Sequence, residues 1–134
     1  MMSVRETVEA FWKGHSAGDH AALKQIVSED LIWTVVGGTS PIAKTYRGWD
    51  GFFGELLDGL AQAFWPGTLD MQLKGLYADE EKGVGILQLE ESATLRNGNT
   101  VKLEIVDVMT VRGGKVVEVR EVMDLAAVNK AFGF

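Results

Sequence analysis

Cysteine is absent from the 134-residue sequence, and proline and histidine occur only twice each. A chain without cysteine can form no disulfide framework, offers no thiolate nucleophile and has no cysteine metal site. The two histidines, His15 and His20, do not have the i, i+4 spacing of a helical metal-binding pair. We therefore expect no metal site, and no sequence motif indicates a cofactor.

Positive charge and long apolar runs are also scarce. The 13 Lys and Arg residues are outnumbered by 19 Asp and Glu residues, which gives a net charge of −6 at pH 7. Phosphate binding needs clustered Lys and Arg, and because these residues are scattered we expect no nucleic-acid partner. No apolar run approaches the roughly 20 residues that span a bilayer, and the N-terminus lacks the apolar core of a signal peptide. The expected location is cytoplasmic, with no membrane partner.

What the sequence does contain is the composition of one globular domain covering residues 1–134. Hydrophobic residues make up 46% and charged residues 24% of the chain, which is typical of soluble domains. Apolar residues at helical spacing predict a first helix over Val4 to Ala17, a short second helix after Asp19 and a third from Trp49 to Phe64. Alternating apolar residues predict one strand at 31–36 and four strands from Leu69 onward. This order predicts an α+β fold in which a curved, cone-shaped antiparallel sheet packs against three N-terminal helices.

One acid, Asp107, interrupts an otherwise apolar strand face between Val101 and Val111. An ionised and unpaired carboxylate on such a face costs several kcal/mol, so Asp107 is expected to be protonated, paired or placed in a cavity. It is interpreted either as a hydrogen-bond donor or acid/base residue in an apolar pocket, or as a structural aspartate hydrogen-bonded to Gln88 across the strands or to a helix side chain.

The dipeptide Asn97-Gly98 is a strong signal for a two-residue hairpin loop. Counting outward from this loop predicts which residues are paired, and paired residues share one side of the sheet. Glu90 is thereby predicted to be a second pocket acid that shares a proton or activates water, or else to form an exposed ion pair. Three polar residues are predicted on the Asp107 face: Gln88, Glu90 and Ser92.

The same register turns Leu87 and Leu89 to the opposite, outer face of the sheet. Apolar residues on an exposed sheet face favour burial against another subunit. We therefore expect a homodimer that forms through the outer sheet face.

The second hairpin, at Gly113-Gly114, leaves two registers open. A two-residue loop would place Arg120, Val122 and Asp124 on the Asp107 face. A three-residue loop with a bulge would instead place Val119, Glu121 and Met123 there. The apolar pattern favours the second register, but the sequence does not decide between them.

Two further titratable residues are candidates for proton transfer. His15 follows Phe11 by one helical turn on an apolar face, where it would either exchange protons near neutral pH or serve as a core residue. Asp124 precedes the last helical stretch, where an acid is either an acid/base group or an N-cap. A wall for a small hydrophobic molecule is predicted from residues of which some would simply be core: Phe11, Trp33, Val35, Tyr46, Phe52, Leu56, Leu60, Phe64, Ile105 and Met123.

Short segments along nearly the whole chain resemble the nuclear transport factor 2-like superfamily, which includes ketosteroid isomerases, SnoaL-like polyketide cyclases and limonene epoxide hydrolases. The segments include Ser16-Ala17-Gly18-Asp19, Ser28-Glu29-Asp30, Tyr46-Arg47-Gly48 and Val106-Asp107-Val108-Met109. The resemblance implies a single SnoaL-like domain of cystatin-like, α+β barrel architecture, with a ligand cavity inside the cone.

The three enzyme groups imply different roles for the acids. In resemblance to ketosteroid isomerases, Asp107 corresponds to the protonated aspartic acid that donates to the substrate oxyanion. The catalytic tyrosine and base of that family fall on Phe11 and Val35, so a true ketosteroid isomerase is not expected. Resemblance to limonene epoxide hydrolases places two of their catalytic acids on Glu90 and Asp124, and SnoaL-like cyclases also have an acid/base aspartate near Asp124.

These observations lead to two functional hypotheses. The first is a small cofactor-free isomerase, cyclase or epoxide hydrolase that acts on a compact hydrophobic molecule. In it Asp107 stabilises a developing oxyanion, and Glu90 or Asp124 moves the proton with help from His15. The second is a non-catalytic module of the same fold that binds a hydrophobic ligand or a protein partner.

Overall fold

The first two helices begin at side-chain caps that the sequence encodes. In the computed structural model, which describes residues 1–134, helix α1 spans Val4–Ala17 and follows a capping box formed by Ser3 and Glu6. Helix α2 (His20–Ile26) follows Asp19, whose carboxylate accepts a hydrogen bond from the Ala22 amide at 3.0 Å. Both helices were predicted from their apolar spacing and are present.

The third predicted helix is present but irregular. Its first part, Asp50–Leu57, is a π-helix, and helix α3 (Asp58–Ala63) continues it. A Cβ atom at Gly51 would lie 3.0 Å from the Tyr46 carbonyl carbon, so this glycine lets the π-helix approach the sheet closely. Helix α4 (Leu125–Phe132) ends the chain. None of these helices is both long enough and apolar enough to cross a membrane.

The chain forms six strands, which are β1 (Val27–Val35), β2 (Thr45–Arg47), β3 (Asp70–Asp79), β4 (Val84–Thr94), β5 (Thr100–Arg112) and β6 (Lys115–Val122). They form one curved sheet in the order β2-β1-β6-β5-β4-β3. All neighbouring pairs are antiparallel except β1 and β6, which are parallel. Strands β2 and β3 are the edges, so the sheet stays open. The predicted α+β fold with a curved sheet is confirmed, with one parallel pair and a short second strand that the sequence did not indicate.

The inner face of the sheet forms the core with α1 and the π-helix. On β5 every second residue from Val101 to Val111 is buried, as the period-two pattern predicts. Leu87 and Leu89 of β4 are 0% and 2% exposed and belong to this core. The prediction that they form the outer sheet face is therefore wrong, and the apolar basis for the dimer must be sought elsewhere on that face.

The β4–β5 hairpin explains this error. Its loop contains three residues, because the Gly98 amide donates to the Leu95 carbonyl at 2.9 Å and the Leu95 amide donates to the Asn99 carbonyl at 2.7 Å. Gly98 has a φ of 89°, which is the left-handed residue that such three-residue loops need. One extra loop residue shifts the register by one position, and a shift of one turns every side chain to the other face.

This hairpin loop is also bonded to two helices. The Arg96 amide donates to the Ala63 carbonyl at 2.9 Å, which joins the loop to the end of α3. The side-chain amides of Asn97 and Asn99 both donate to the Ala131 carbonyl of α4, each at 2.9 Å. The loop conformation, and with it the register of β4 on β5, is therefore tied to the rest of the fold.

The β5–β6 hairpin combines features of both predicted registers. Its loop has two residues, Gly113 and Gly114, with φ values of 58° and 70°. A bulge follows, since Val111 pairs with Val116 but Thr110 pairs with Glu118. The loop has the length of the first predicted register. The bulge, however, turns the side chains that follow it to the faces that the second register predicts. Val119, Glu121 and Met123 therefore lie on the Asp107 side, and Arg120 lies on the outer face.

Candidate functional site

An apolar cavity of about 220 Å³ lies between the inner face of the sheet and the helices. Of its 23 lining residues, 18 are hydrophobic. The lining residues come from α1, α2, the π-helix, α3 and α4, from strands β1, β3, β4, β5 and β6, and from segments between these elements. The size suits a compact molecule, because cavities for drug-sized ligands occupy roughly 300–1,000 Å³.

Two acids project into this cavity. Glu91 comes from β4 and Glu121 from β6, with β5 between them, and no Lys or Arg is among the lining residues. Glu121 is only 8% exposed. The cavity therefore has an acidic region on an apolar wall with no cationic side chain beside it.

Asp107 lies behind Glu121 rather than on the cavity wall. It is 1% exposed and is paired with Glu121 across the β5–β6 ladder, so that the two carboxyl groups share one face of the sheet. Burial raises the pKa of Asp107 well above its usual range, and the charges of Glu121 and Glu91 raise it further. Asp107 is therefore the acid of the pair that keeps its proton to the higher pH.

The pKa of Glu121 is raised by its burial, but two neighbours act in the opposite direction. These are the Asp107 carboxyl and the indole N–H of Trp33, both of which favour the charged form of Glu121. Trp33 lies on β1 two residues before Val35, which pairs with Glu121. The Trp33 Nε1 atom is buried and has no partner in hydrogen-bond geometry.

Glu91 of β4 and His15 of α1 are titratable groups that line the cavity. Burial, together with the charge of Glu121, raises the pKa of Glu91 to about 7. Burial lowers the pKa of His15 to about 4, so the imidazole is neutral at physiological pH. His15 stacks on Phe11 with ring centroids 5.3 Å apart, which fixes it at the cavity edge. Its predicted position facing the cavity agrees with the structure, but its charge does not change near neutral pH.

The predicted apolar wall separates into cavity residues and core residues. Phe11 and Phe52 are 0% exposed and pack beneath the wall. Tyr46 is also in the core, where its hydroxyl donates to the Ile42 carbonyl at 2.9 Å. Seven predicted residues do line the cavity: Trp33, Val35, Leu56, Leu60, Phe64, Ile105 and Met123.

The three polar residues predicted from the first hairpin face away from the cavity. Gln88, Glu90 and Ser92 pair with Val106, Glu104 and Lys102 on the outer face. Glu90 forms an ion pair with Lys102 at 3.4 Å. Their predicted place beside Asp107 is wrong because the loop is one residue longer than the dipeptide suggested.

Asp124 lies at the exposed start of α4. Its carboxylate accepts a hydrogen bond from the Ala127 amide at 3.1 Å, which is the N-cap interaction considered as the alternative to an acid/base role. It is not among the residues that line the cavity.

Glu91 is the cavity acid that the sequence interpretation missed. The signal for it was present, because Leu87, Leu89, Ala93 and Leu95 alternate as an apolar face on which Glu91 also falls. That alternation conflicts with the two-residue loop that Asn97-Gly98 predicts. Glu121 belonged to one of the two registers left open. His20 lies on the cavity rim and is exposed.

The site does not have the donor arrangement of a metal centre. No group of three or more His, Asp or Glu side chains in the chain is arranged to hold a metal ion. The chemistry available to the cavity side chains themselves is proton transfer between carboxyl groups and a bound molecule.

The fold is shared with several solved structures. An NTF2-like protein from Burkholderia thailandensis is 23% identical, with a TM-score of 0.86 over 98% of both chains. A protein of unknown function with a cystatin-like fold from Xanthomonas campestris is 27% identical, with a TM-score of 0.75 over 98% of both chains. An LEH-like epoxide hydrolase from M. tuberculosis is 18% identical, with a TM-score of 0.68 over 96% of this chain and 88% of that one.

Comparison of the sequence with protein families identifies one relationship. No curated protein matches the sequence significantly. Residues 4–119 match the model of the SnoaL-like domain, which is most of the chain. The chain therefore belongs to the SnoaL-like domain family, within the NTF2-like superfamily.

Proposed function

We propose that this protein is an enzyme that performs carboxyl acid/base chemistry on a compact hydrophobic molecule in the apolar cavity. The observation that carries the proposal is the placement of Glu121 and Glu91 on one apolar cavity wall without a cationic partner. Structural acids are usually exposed or paired with a base, and buried acids in an apolar cavity are typical of proton-transfer sites.

Glu121 is the base in this proposal. It is held next to a protonated Asp107, and the neighbours that favour its charged form keep it able to accept a proton. A carboxylate in an apolar cavity is a stronger base than one in water, because burial favours the protonated product of the transfer.

Glu91 is the second proton-transfer group. A pKa of about 7 means that both its acid and its carboxylate forms are populated at neutral pH. General acids and bases work best when their pKa lies near the working pH. Glu91 can therefore donate a proton to a leaving or developing oxygen while Glu121 accepts one elsewhere on the molecule. This replaces Glu90 and Asp124 in the roles considered from the sequence.

The reaction types that fit are isomerisation, cyclisation and hydrolysis of an epoxide. The named activity of the similar M. tuberculosis structure supports the last of these for a cavity of this fold. The apolar wall, with Leu56, Leu60 and Phe64 opposite the acids, would position the substrate by shape.

The proposal is tested with a matched pair of variants. Wild-type protein, Glu121→Gln and Glu91→Gln are assayed for turnover of a panel of compact enones, epoxides and polyketide-like esters. Glu90→Gln is the control, because Glu90 is the next residue on the same strand but faces outward. We expect the two cavity variants to lose at least about a hundredfold in rate, within the usual range for general acid–base catalysis, and the control to keep wild-type activity.

Equal activity in all four proteins would contradict the proposal. Binding of panel molecules by the wild-type protein without turnover would support the alternative of a non-catalytic ligand-binding module. In that case Glu121 and Glu91 would anchor a polar group of the ligand, and both Gln variants would change its affinity.

A further inference from the structure

Two buried polar groups without hydrogen-bond partners flank Glu121. One is the Nε1–H of Trp33, and the other is the Asp107 carboxyl group, of which both oxygens are enclosed and unpartnered. A buried polar group left without a partner costs about 1–3 kcal/mol, so each of these groups requires an explanation.

The strand register leaves Glu121 as the group that both can reach. The other cross-strand neighbour of Asp107 is Leu87, which has no polar side-chain atom. The cross-strand neighbours of Trp33 are Val119 and Tyr46, and the Tyr46 hydroxyl already donates to a backbone carbonyl. Glu121 pairs with Asp107 of β5 on one side and with Val35 of β1 on the other. Trp33 precedes Val35 by two residues, so it lies one step along the same inner face.

We propose that Trp33 and Asp107 are positioning residues for the Glu121 carboxylate. The Trp33 indole N–H donates to one Glu121 oxygen, and a protonated Asp107 donates to the other. Small side-chain rotations complete both bonds, which gives the Trp33 N–H and the protonated Asp107 oxygen a partner each. Asp107 is not among the residues that line the cavity, whereas Trp33 lines it. In this arrangement both act on Glu121, and neither exchanges a proton with the substrate.

For catalysis this inference rests on the proposed function of Glu121 as the base. With two donors behind it, the carboxylate keeps its remaining lone pairs directed at the cavity. It accepts one proton from the substrate, whose bonding electrons stay on the substrate, and later returns one proton. The Asp107 proton stays on Asp107 throughout.

The titratable groups around the cavity that Glu121 lines come from five other elements, one of which is α2 with His20 on the cavity rim. Asp107 on β5 and Glu91 on β4 are acids, and Tyr46 on β2 is a phenol whose pKa the Glu121 charge helps to raise. His15 on α1 lines the same cavity and is neutral above about pH 4. A test must therefore follow Glu121 itself rather than overall pH dependence.

The test is a titration of the Glu121 side-chain carboxyl carbon by NMR, with Glu121→Gln to assign the signal. It compares the wild-type protein with Trp33→Phe, Asp107→Asn and Asp107→Leu. Trp49→Phe is the control, because the Trp49 indole N–H donates to the Val27 carbonyl at 3.1 Å, outside the cavity. No substrate is needed.

The two positioning residues give different signatures. Trp33→Phe should raise the Glu121 titration midpoint by at least about 0.5 pH unit, because a donor to the charged form is lost. Asp107→Leu should raise it similarly, whereas Asp107→Asn should leave it within about 0.3 unit because the amide replaces the donated proton. The Trp49 control should leave it unchanged.

Three results would overturn the inference. The first is an unchanged Glu121 titration midpoint in Trp33→Phe, and the second is an equal midpoint in the two Asp107 variants. The third is a midpoint lowered by about one unit or more in Asp107→Asn, which would mean that Glu121 is the protonated partner. Poor folding of a variant does not prevent the test. In the wild-type protein the Trp33 indole proton resonance should move downfield as Glu121 ionises, and a resonance that does not move would also overturn the inference.

The outcome is independent of the turnover assay. Positioning signatures without turnover of any panel molecule would count against the proposed function alone. Turnover that depends on Glu121 without these signatures would count against the positioning roles alone.

Discussion

His15 and Glu91 line the same cavity, yet burial moves their pKa values in opposite directions, to about 4 and about 7. The cause is the same in both cases, because burial penalises the charged form, which is the protonated form of histidine and the deprotonated form of glutamate. Protonation of the two groups therefore affects folding with opposite signs.

The first prediction concerns the pH dependence of stability at Glu91. Unfolded Glu91 loses its proton near its ordinary pKa of 4.5, whereas folded Glu91 keeps it up to about pH 7. Between these values the folded state binds more protons, so the stability from Glu91 is complete below pH 4.5 and is lost as pH rises to 7. We expect Glu91→Gln to gain stability relative to wild type over this window, by on the order of 3 kcal/mol.

The measurement is denaturant unfolding of both proteins at pH 4.5 and pH 7.5, with Glu90→Gln as the outward-facing control. His15→Gln should show the opposite sign and lose stability relative to wild type as pH rises through the corresponding window. The reason is that folded His15 is neutral above about pH 4 while unfolded His15 still binds a proton up to about 6.5. Parallel stability curves for Glu91→Gln and wild type would contradict the assignment of Glu91 as a buried acid.

A second prediction separates the structural from the catalytic interpretation of Asp124. As the N-cap of α4, Asp124 should be replaceable by Ser, and Asp124→Ala should cost about 1 kcal/mol in the free energy of unfolding. Asp124→Ser should keep both the stability and any activity of the wild-type protein. Loss of activity in a stable Asp124→Ser protein would restore the acid/base role considered from the sequence.

A third prediction concerns two glycines whose replacement by alanine should change the stability of the protein in opposite directions. Gly98 has a φ of 89° and Gly59 lies in α3, and neither has atoms within 4 Å of an added Cβ. Gly98→Ala should therefore destabilise the protein by about 1 kcal/mol through backbone strain alone. Gly59→Ala should stabilise it by about 0.5–1 kcal/mol through helix propensity. Thermal unfolding of both variants checks the left-handed conformation of Gly98, and a neutral Gly98→Ala would argue against it.

The fourth prediction is a homodimer through the outer sheet face. Leu87 and Leu89 are core residues, but other apolar side chains on the outer face are partly or largely exposed: Tyr77, Ile86, Val106, Val108 and Val122. We expect a dimer in sedimentation velocity at tens of micromolar, and Val122→Glu should weaken it. Phe134→Glu, which changes an exposed apolar residue at the C-terminus, should not. A wild-type monomer at this concentration would contradict the prediction.

The sequence predicted the fold well because the fold depends on patterns that are local. Each of these patterns depends only on the residues of one segment. Examples are the capping box at Ser3, the Asp19 cap and the apolar alternation on β5. The parallel pairing of β1 with β6 joins segments far apart in the sequence, and no local pattern indicates it.

The site was only partly predictable, for two physical reasons. Whether an acid faces the cavity depends on a single residue in a hairpin loop, and this decided between Glu90 and Glu91. Periodicity also cannot distinguish a cavity wall from a filled core, so Phe11 and Trp33 gave the same signal although only Trp33 lines the cavity. Asp107 was recognised as anomalous, but its position behind Glu121 depended on the register of the second hairpin.

The β4–β5 loop controls the chemical character of a cavity that it does not line. A slip of β4 by one position along β5 would withdraw Glu91 and present Gln88, Glu90 and Ser92 in its place. The bonds that Arg96, Asn97 and Asn99 make to α3 and α4 oppose such a slip. One loop contact far from the acids therefore helps to decide which whole set of strand side chains the pocket displays, with no substitution in the strands themselves.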